Sequence, residues 1–417
     1  MGKLSFCITA KIQNNGYNLF YYIGPVLADR QIFVTFKAHM GFMEELIATR
    51  RHLHQHPELS GEEQETQRYV LNLLTELDTD TITPVAGTGI LVQFNGKSKG
   101  KNILFRGDMD ALPIEEENDF AYRSVNKGVS HKCGHDGHTT IMYGLAKHFA
   151  TNRPEYGNVY ILFQPAEEVG RGAKGVEDSG ILDSLDIDLV FALHNVPSYP
   201  LHQIVCRVGS FTPSVTTLIA YFKGYTSHAA EPWHGRNPAA AMSSYMLDAL
   251  NYNMEDGEQH HFITITPAYM ELGSIAYGTS AGEGSVHLTI RADTNERLRG
   301  AVDKITQLAK QKAEQHGLNI HFEEQEIFES NQNAPEAVSL VEAAAAELGL
   351  SYHDKDEPFR WGEDFGLFTN RIKGAMFGIG SGEDCKPLHH PAYDFPDEIL
   401  GNAIDMFITI QKKAQEK

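Results

Sequence analysis

Apolar and polar positions change their period several times along the chain. From Gly41 to His56 they read as a helix, and Ser60-Gly61-Glu62-Glu63 has the form of a capping box opening a second helix. Val70, Leu73, Leu74 and Leu77 give that second helix one apolar stripe. The pattern then breaks into short apolar runs, Gly89 to Phe94 and Asn102 to Phe105, which predict strands. An apolar run from Ile141 to Ala146 predicts a buried helix, and strands are predicted again at Val159 to Phe163 and Leu189 to Leu193. Strands alternating with helices predict an α/β layer fold.

From about Arg207 the pattern shifts. Strand-like runs at Val215 to Phe222, Phe262 to Thr266, Val286 to Ile290 and Asn319 to Phe322 surround helical stretches at Pro238 to Leu250 and Asn295 to His316. This predicts a smaller α+β satellite of four strands and two helices over residues 207–327. It interrupts a larger α/β domain made of residues 40–206 and 328–417. In the second part, helices are expected at Pro335 to Leu348 and at the C-terminus, with a strand at Ala375 to Ile379 between them. Residues 1–39 show no clear period and read as a poorly packed extension, so Met40 or Met43 is the natural beginning of the folded unit. The apolar stretch Leu19 to Ala28 contains Gly24-Pro25 and is too short to span a membrane. It lies far from the start and lacks a small-x-small cleavage site, so it is a poor signal sequence. Phe6 stands where a myristoylation signal needs Ser or Thr.

Charge narrows the function classes. Lys+Arg 35 against Asp+Glu 55 gives a formal net charge of -20 over 417 residues, which disfavours nucleic acid and anionic membranes as partners. The four cysteines, Cys7, Cys133, Cys206 and Cys385, have no disulfide-framework spacing. That suits a reducing, cytoplasmic compartment in which a thiol serves as a ligand.

The chemistry concentrates in His131-Lys132-Cys133-Gly134-His135-Asp136-Gly137-His138. Cys133 and His135 flank a glycine, so a turn lets both side chains converge, and thiolate with imidazole suits Zn²⁺ and similar ions. In α/β sheets function gathers beyond the carboxyl ends of strands. Three successive predicted strand ends deliver Asp108 and Asp110, then Glu167 and Glu168, then His194-Asn195. A later strand leads to His389-His390, of which only one should face the site because adjacent side chains alternate. Spacing by two scatters His52, His54 and His56 around their helix, so they read as structural. Gly378-x-Gly380-x-Gly382 lacks a dinucleotide unit and is assigned to turn chemistry.

Amide hydrolysis fits these groups. Two ions about 3.5–4 Å apart lower the pKa of water from ~15.7 towards ~7. A free carboxylate beside them takes the proton and passes it to the leaving amine, an effect of roughly 10²–10⁴-fold. Adjacent glutamates such as Glu167 and Glu168 can divide this labour, one as ligand and one as base.

Taken together, Arg106 to Pro113, Cys133 to His138, Pro165 to Glu168, His194-Asn195, Ser227-His228-Ala229-Ala230, Gly362-Glu363-Asp364-Phe365 and Leu388-His389-His390-Pro391 resemble the co-catalytic metal amidohydrolases. That is the aminoacylase and carboxypeptidase G superfamily, and the likeness is to its hippurate hydrolase and indole-acetyl-amino-acid hydrolase branch. It spans roughly residues 43 to 415. The resemblance implies two divalent ions per subunit, Zn, Mn or Co, held by Cys133, His135, Glu168, His194 and His389, with Cys133 as the bridge. It implies Glu167 as general base and Asp110 as a carboxylate supporting the metal shell, with Asp136 beside it. Asp108 stands where the peptidase branch has a ligand His, with His135 compensating. His228 on the satellite corresponds to a substrate-binding residue and Arg291 to a binder of the substrate carboxylate. The satellite is expected to form a homodimer.

Two stretches depart from the pattern. Related enzymes carry an Asn-containing turn where this chain has Gly278-Thr279-Ser280-Ala281-Gly282, and Trp233-His234-Gly235-Arg236 also has no counterpart. The expected activity is metal-dependent hydrolysis of small-molecule N-acyl amino acids, hippurate-like or other acyl conjugates. A dipeptidase or carboxypeptidase with the same site is the alternative. A catalytically silent metal- or conjugate-binding relative is the alternative of another class, and the retained Glu167 argues against it.

Overall fold

A computed structural model describes residues 12–14, 17–19 and 30–415, with side chains from residue 40 onward. The expected extension over 1–39, with Cys7 and the stretch Leu19 to Ala28, falls mostly outside them. The chain divides into two compact units, Met1–Ala48 and Thr49–Lys417. In the first, Ile12–Asn14 pairs antiparallel with Tyr17–Leu19. Helix α1, Arg30–Gln55, begins well before the predicted Gly41. No helix among the described residues is long and apolar enough to cross a membrane.

In the second unit, helix α2 is Gln64–Thr75. The capping-box expectation fails here. Glu63 is the N-cap residue but makes no side-chain cap. Its carboxylate instead accepts from the Gly61 and Ala166 backbone N–H groups and from the Thr88 hydroxyl. Ser60 donates to Asp110 at 2.7 Å. Both residues are drawn away from the helix end by partners near the functional site, which a local motif does not reveal.

Strands follow in the order β1 Thr81–Val85, β2 Gly89–Phe94, β3 Ile103–Asp108, β4 Val159–Gln164, β5 Leu189–Val196 and β6 Ile204–Cys206. Helix α3, His135–Thr151, lies between β3 and β4 in sequence. The next group is β7 Ser214–Lys223, β8 Met254–Asp256, β9 His261–Leu272, β10 Glu283–Ala292 and β11 Asn319–Phe328, with helices α4 Ala239–Leu250 and α5 Asn295–Gln315. After α6, Pro335–Glu347, come β12 Tyr352–Asp354, β13 Gly374–Gly380 and helix α7, Ile399–Gln415.

The first and last groups form one eight-stranded sheet of order β12-β6-β13-β5-β3-β4-β2-β1. Its centre, β13-β5-β3-β4, is parallel throughout. Every residue of those four strands is buried, as expected of a sheet covered on both faces. Their carboxyl ends therefore open on one edge.

The middle group forms a five-stranded antiparallel sheet, β8-β9-β10-β7-β11. It has one short strand more than the sequence pattern predicts. Strands β9 and β11 also run well past their predicted ends, because their outer halves are exposed and lack the apolar alternation that marks a strand. Leu218, Ala220, Phe222, Val286, Leu288 and Ile290 pack on Tyr245 of α4 and Ile305 of α5. The other face of this sheet carries Val215, Thr289 and Arg291 into a cavity. The mixed α/β class expected from the sequence holds.

Candidate metal centre and active site

The carboxyl ends of the parallel strands supply the floor of that cavity. Helix α3 begins at His135, and the preceding Gly134 is left-handed, φ 98°. A Cβ there would lie 2.5 Å from Asn195 Oδ1, so only glycine fits the turn that presents Cys133 and His135 together. His194 comes from the end of β5, and Glu167 and Glu168 follow β4. His389 arrives on the loop after β13, left-handed at φ 65° and held by its N–H to the Lys132 carbonyl at 2.7 Å.

Donor atoms of Cys133, His135 and His194 lie within 4.8 Å of one another, and so do those of Cys133, Glu168 and His389. The two triads share Cys133. The Cys133 Sγ faces His194 Nε2 at 3.5 Å. The other ring nitrogen, His194 Nδ1, donates to the Asn195 carbonyl at 2.8 Å. His135 repeats the arrangement, with Nδ1 donating to the Asp110 carbonyl at 3.0 Å. Such partners fix the tautomer and leave Nε2 as the free ligand nitrogen. His135 Nε2 and Glu168 Oε1 are buried without a hydrogen-bond partner in the described structure. Buried polar atoms are nearly always satisfied, so both call for a cation.

The electrostatics agree. Asp108, Glu167 and Glu168 all lie within 4.0 Å of His135 Nε2. Burial, then Glu363, Glu168 and Asp364, push Glu167 well above the usual carboxylate range. Burial and then the neighbouring Glu168, Glu167 and Asp108 push the Cys133 thiol up. Glu168 rises to about 7, with burial the main cause and Asp110 adding to it against the favourable His135. The space resists further negative charge, and divalent cations relieve that. Sulfur, imidazole and carboxylate donors suit Zn²⁺, Mn²⁺ or Co²⁺.

Asp110 holds this cluster together. It accepts from Ser60, from the Glu168 backbone N–H at 3.0 Å and from His135. Asp108 Oδ1 lies 3.7 Å from His135 Nε2, and Asp108 forms a further possible donor triad with His135 and His138. Arg106 and His138 both bond it, His138 Nδ1 at 2.6 Å. Asp136 has no bond to the donor atoms; it anchors the start of α3 through His54 at 2.8 Å and Arg50 at 3.4 Å.

The cavity has a volume of about 710 Å³. Glu167, Cys133, Glu168, His194, His389 and Arg291 all line it, with Trp361 and Phe359. His389 lines it and His390 does not. His228 is exposed on the two-residue strand Ser227–His228, paired with Thr279–Ser280, and is not among the residues lining the cavity in its own chain.

Several residues here escape sequence reasoning. Arg106 is fully buried and binds Gln164, Asp108, Glu363 and Asp364. The only sequence signal is a charged residue inside an apolar strand. His138 bridges Asp108 and the Asn195 side-chain oxygen, the latter at 2.6 Å, while Asn195 donates to the Cys133 carbonyl at 3.1 Å. The density of histidines pointed to His138 without indicating its partners. Trp361 lies beside His194, ring centroids 4.8 Å apart, from a loop with no local motif for it.

Comparison with known proteins agrees with this geometry. Residues 104–413 match the model of a family described as Peptidase family M20/M25/M40. The N-acetylcysteine deacetylase of Bacillus subtilis (strain 168) is 30% identical over 377 residues, covering 89% of this chain and 97% of the relative. An N-acetyldiaminopimelate deacetylase of Listeria innocua is 32% identical over 372 residues, covering 88% and 98%. Among solved structures, a Bacillus subtilis dinuclear metal-binding peptidase of the M20 family superposes with a TM-score of 0.77 at 29% identity, covering 90% of this chain and 99% of that one.

Proposed function

The chain belongs to peptidase family M20/M25/M40 and is a metal-dependent amidohydrolase, and within that family we propose that it hydrolyses the amide bond of N-acyl amino acids. The products are a carboxylic acid and a free amino acid. The observation that carries this reading is one thiol shared by two donor triads, with a free carboxylate, Glu167, beside them in a cavity that also holds Arg291. The similarity to relatives described as N-acetylcysteine and N-acetyldiaminopimelate deacetylases supports it.

Cys133, His135, His194, Glu168 and His389 would hold two divalent ions. Ions so held would polarise the amide carbonyl and would bring the pKa of water from ~15.7 towards ~7. The chain's own groups do the rest. The Glu167 carboxylate takes the proton of the attacking water and delivers it to the leaving nitrogen. Arg291 takes the substrate carboxylate, which fixes the amide over the donor cluster. The apolar wall of Val196, Phe359, Trp361 and Leu388 receives the acyl group. Asp110 keeps His135 in its tautomer.

His228 acts from a partner subunit in a homodimer, where its imidazole stabilises the developing oxyanion. Its exposure and its absence from the cavity of its own chain support this. So do exposed apolar side chains on the segments around it, Trp233 just after it and Ile275 and Tyr277 in the turn leading to its partner strand, whose exposure runs from 72% to 94%. The test of the activity is a turnover screen over N-acyl amino acids and dipeptides with Zn²⁺, Mn²⁺ and Co²⁺. Turnover of dipeptides alone would replace this reading with a dipeptidase, and metal binding without any turnover would leave a binding protein.

A further inference from the structure

The turn that carries the paired glutamates is strained at one residue. Ala166 lies two positions past the end of β4 and directly before Glu167 and Glu168. Its φ is 51°, left-handed and unfavourable for a residue with a Cβ. The turn closes tightly behind it. The Ala166 carbonyl accepts from the N–H groups of Arg171 at 3.1 Å and Gly172 at 3.0 Å, and the Glu167 carbonyl accepts from Gly170 at 2.8 Å. These bonds hold the carbonyl side of Ala166. They leave its N–H to a partner from elsewhere in the fold.

That partner is Glu63, 103 positions away. One of its carboxylate oxygens accepts from the Ala166 N–H at 2.8 Å and from the Gly61 N–H at 2.8 Å, and the other accepts from the Thr88 hydroxyl at 2.6 Å. Glu63 is fully buried, and a carboxylate is costly to bury. The start of α2 does not need it. Glu58 serves there, its two oxygens accepting from the N–H groups of Glu65 at 3.1 Å and Thr66 at 2.8 Å. The segment before α2 is tied to the floor of the cavity as well. The Ala111 N–H donates to the Glu58 carbonyl at 2.8 Å, and Ser60 donates to Asp110, which also receives the Glu168 N–H.

We propose that Glu63 is a positioning residue, whose bond to the Ala166 N–H holds the left-handed turn that aims Glu167 at the attacking water. This rests on the proposed reading of Glu167 as the general base. Glu63 is not among the residues that line the cavity, so it acts through the turn. The two adjacent glutamates then have separate tethers. Glu167 is held through Ala166 by Glu63, and Glu168 through its own N–H by Asp110. Without Glu63 the Ala166 N–H has no acceptor among the described residues, and the strained turn relaxes towards an ordinary φ. Glu167, the next residue, swings with it, while Asp110 keeps Glu168 in place.

The experiment measures kcat, KM, metal content and amide exchange of the metal-loaded full chain, with the best substrate of the turnover screen. Glu63→Met removes the acceptor and should lower kcat by about 10²-fold, the scale of a group displaced by about 1 Å. KM should stay within about twofold, and elemental analysis should find the metal content unchanged. Amide exchange over residues 165–169 should quicken. Glu63→Gln keeps an acceptor oxygen for Ala166 and should stay within about threefold of wild type in kcat, with slow exchange. Adding Ala166→Gly to Glu63→Met should restore kcat by about tenfold, because glycine holds a left-handed φ unaided. A general loosening of the fold would gain nothing from a glycine. Glu63→Asp, one methylene short of Ala166, should show the same split more mildly and carries the test if the methionine variant does not fold. A kcat near wild type in the methionine or aspartate variant, an equal fall in Glu63→Gln, or no recovery with Ala166→Gly would each overturn the assignment. A wild-type rate in Glu167→Gln would instead overturn the reading of Glu167 on which it stands.

Discussion

The two sheets bring polar groups to one cavity by different means. In the eight-stranded sheet the parallel strands are buried along their whole length, and polar side chains inside it are tied to one another. Arg106 meets Asp108, Glu363 and Asp364. In the five-stranded sheet one face packs on helices and the other is open. There Arg291 stands one residue from the end of β10, half-buried and without a hydrogen bond to another described residue, and the bulged strand β11 is mostly exposed. A strand covered on both faces can release a reactive group only at its end, because a lone charge within it costs several kcal/mol. A strand with one wet face can present a charge anywhere along its length. The charges within the parallel strands are therefore paired, while Glu167, beyond a strand end, and Arg291, on the wet face, are left to face the cavity.

Losing the shared thiol should break the contrast most severely. Cys133→Ala should lose most of its bound metal and its turnover, and full metal content by elemental analysis would show that the cluster does not depend on it. Next, Glu167→Gln should keep its metal and fold yet lose ~10²–10⁴ in turnover. A rate near wild type would remove Glu167 from the reaction. His228→Ala should fold and keep metal but lose ~10²–10³ in turnover, the scale of one oxyanion donor. Refolding it together with Glu167→Ala should recover activity, because a mixed dimer regains one site with both groups intact. Mixed dimers without recovery would place His228 in its own chain's site or in none.

Stability tests the same contrast on a smaller scale. Arg106→Met leaves buried carboxylates unmatched and should cost about 3–5 kcal/mol in urea unfolding. Lys312→Met, which removes the satellite's pair with Asp248, should cost about 1 kcal/mol or less. Equal losses would mean that the two regions are not held differently.

A pH-dependent effect concerns His54. Burial pulls its pKa down, but Asp136 and then Glu116 more than reverse this, against Arg50, and raise it to about 9. Asp394 at 3.9 Å and the Tyr122 and His131 rings also face it. The folded value lies above the ordinary 6.5, so the stabilisation is complete below about pH 6.5 and is lost as pH rises through 9. Unfolding free energy of the wild type should fall across that window, and His54→Gln should flatten the slope. An unchanged slope would mean that His54 is neutral in the folded protein.

By itself the sequence determined the α/β class and which groups stand at strand ends. Resemblance to the metal amidohydrolases proposed Cys133, His135, Glu168, His194 and His389 as one ligand set, and the fold gathers their donor atoms into two triads that share Cys133. Tertiary structure decided what local signals do not carry. Ser60 and Glu63 look like a helix cap and instead bind Asp110 and the Ala166 backbone, since a stronger partner lay across the fold. Arg106 became the buried counter-charge to Asp108, Glu363 and Asp364, two of which lie more than 250 positions away. Glu326 entered the cavity only because a bulge, opposed by a single residue of another strand, turned it there. Hydrophobic period reports which face of an element is covered. It does not report what covers it, and buried charges take their partners from whatever the packing brings within reach.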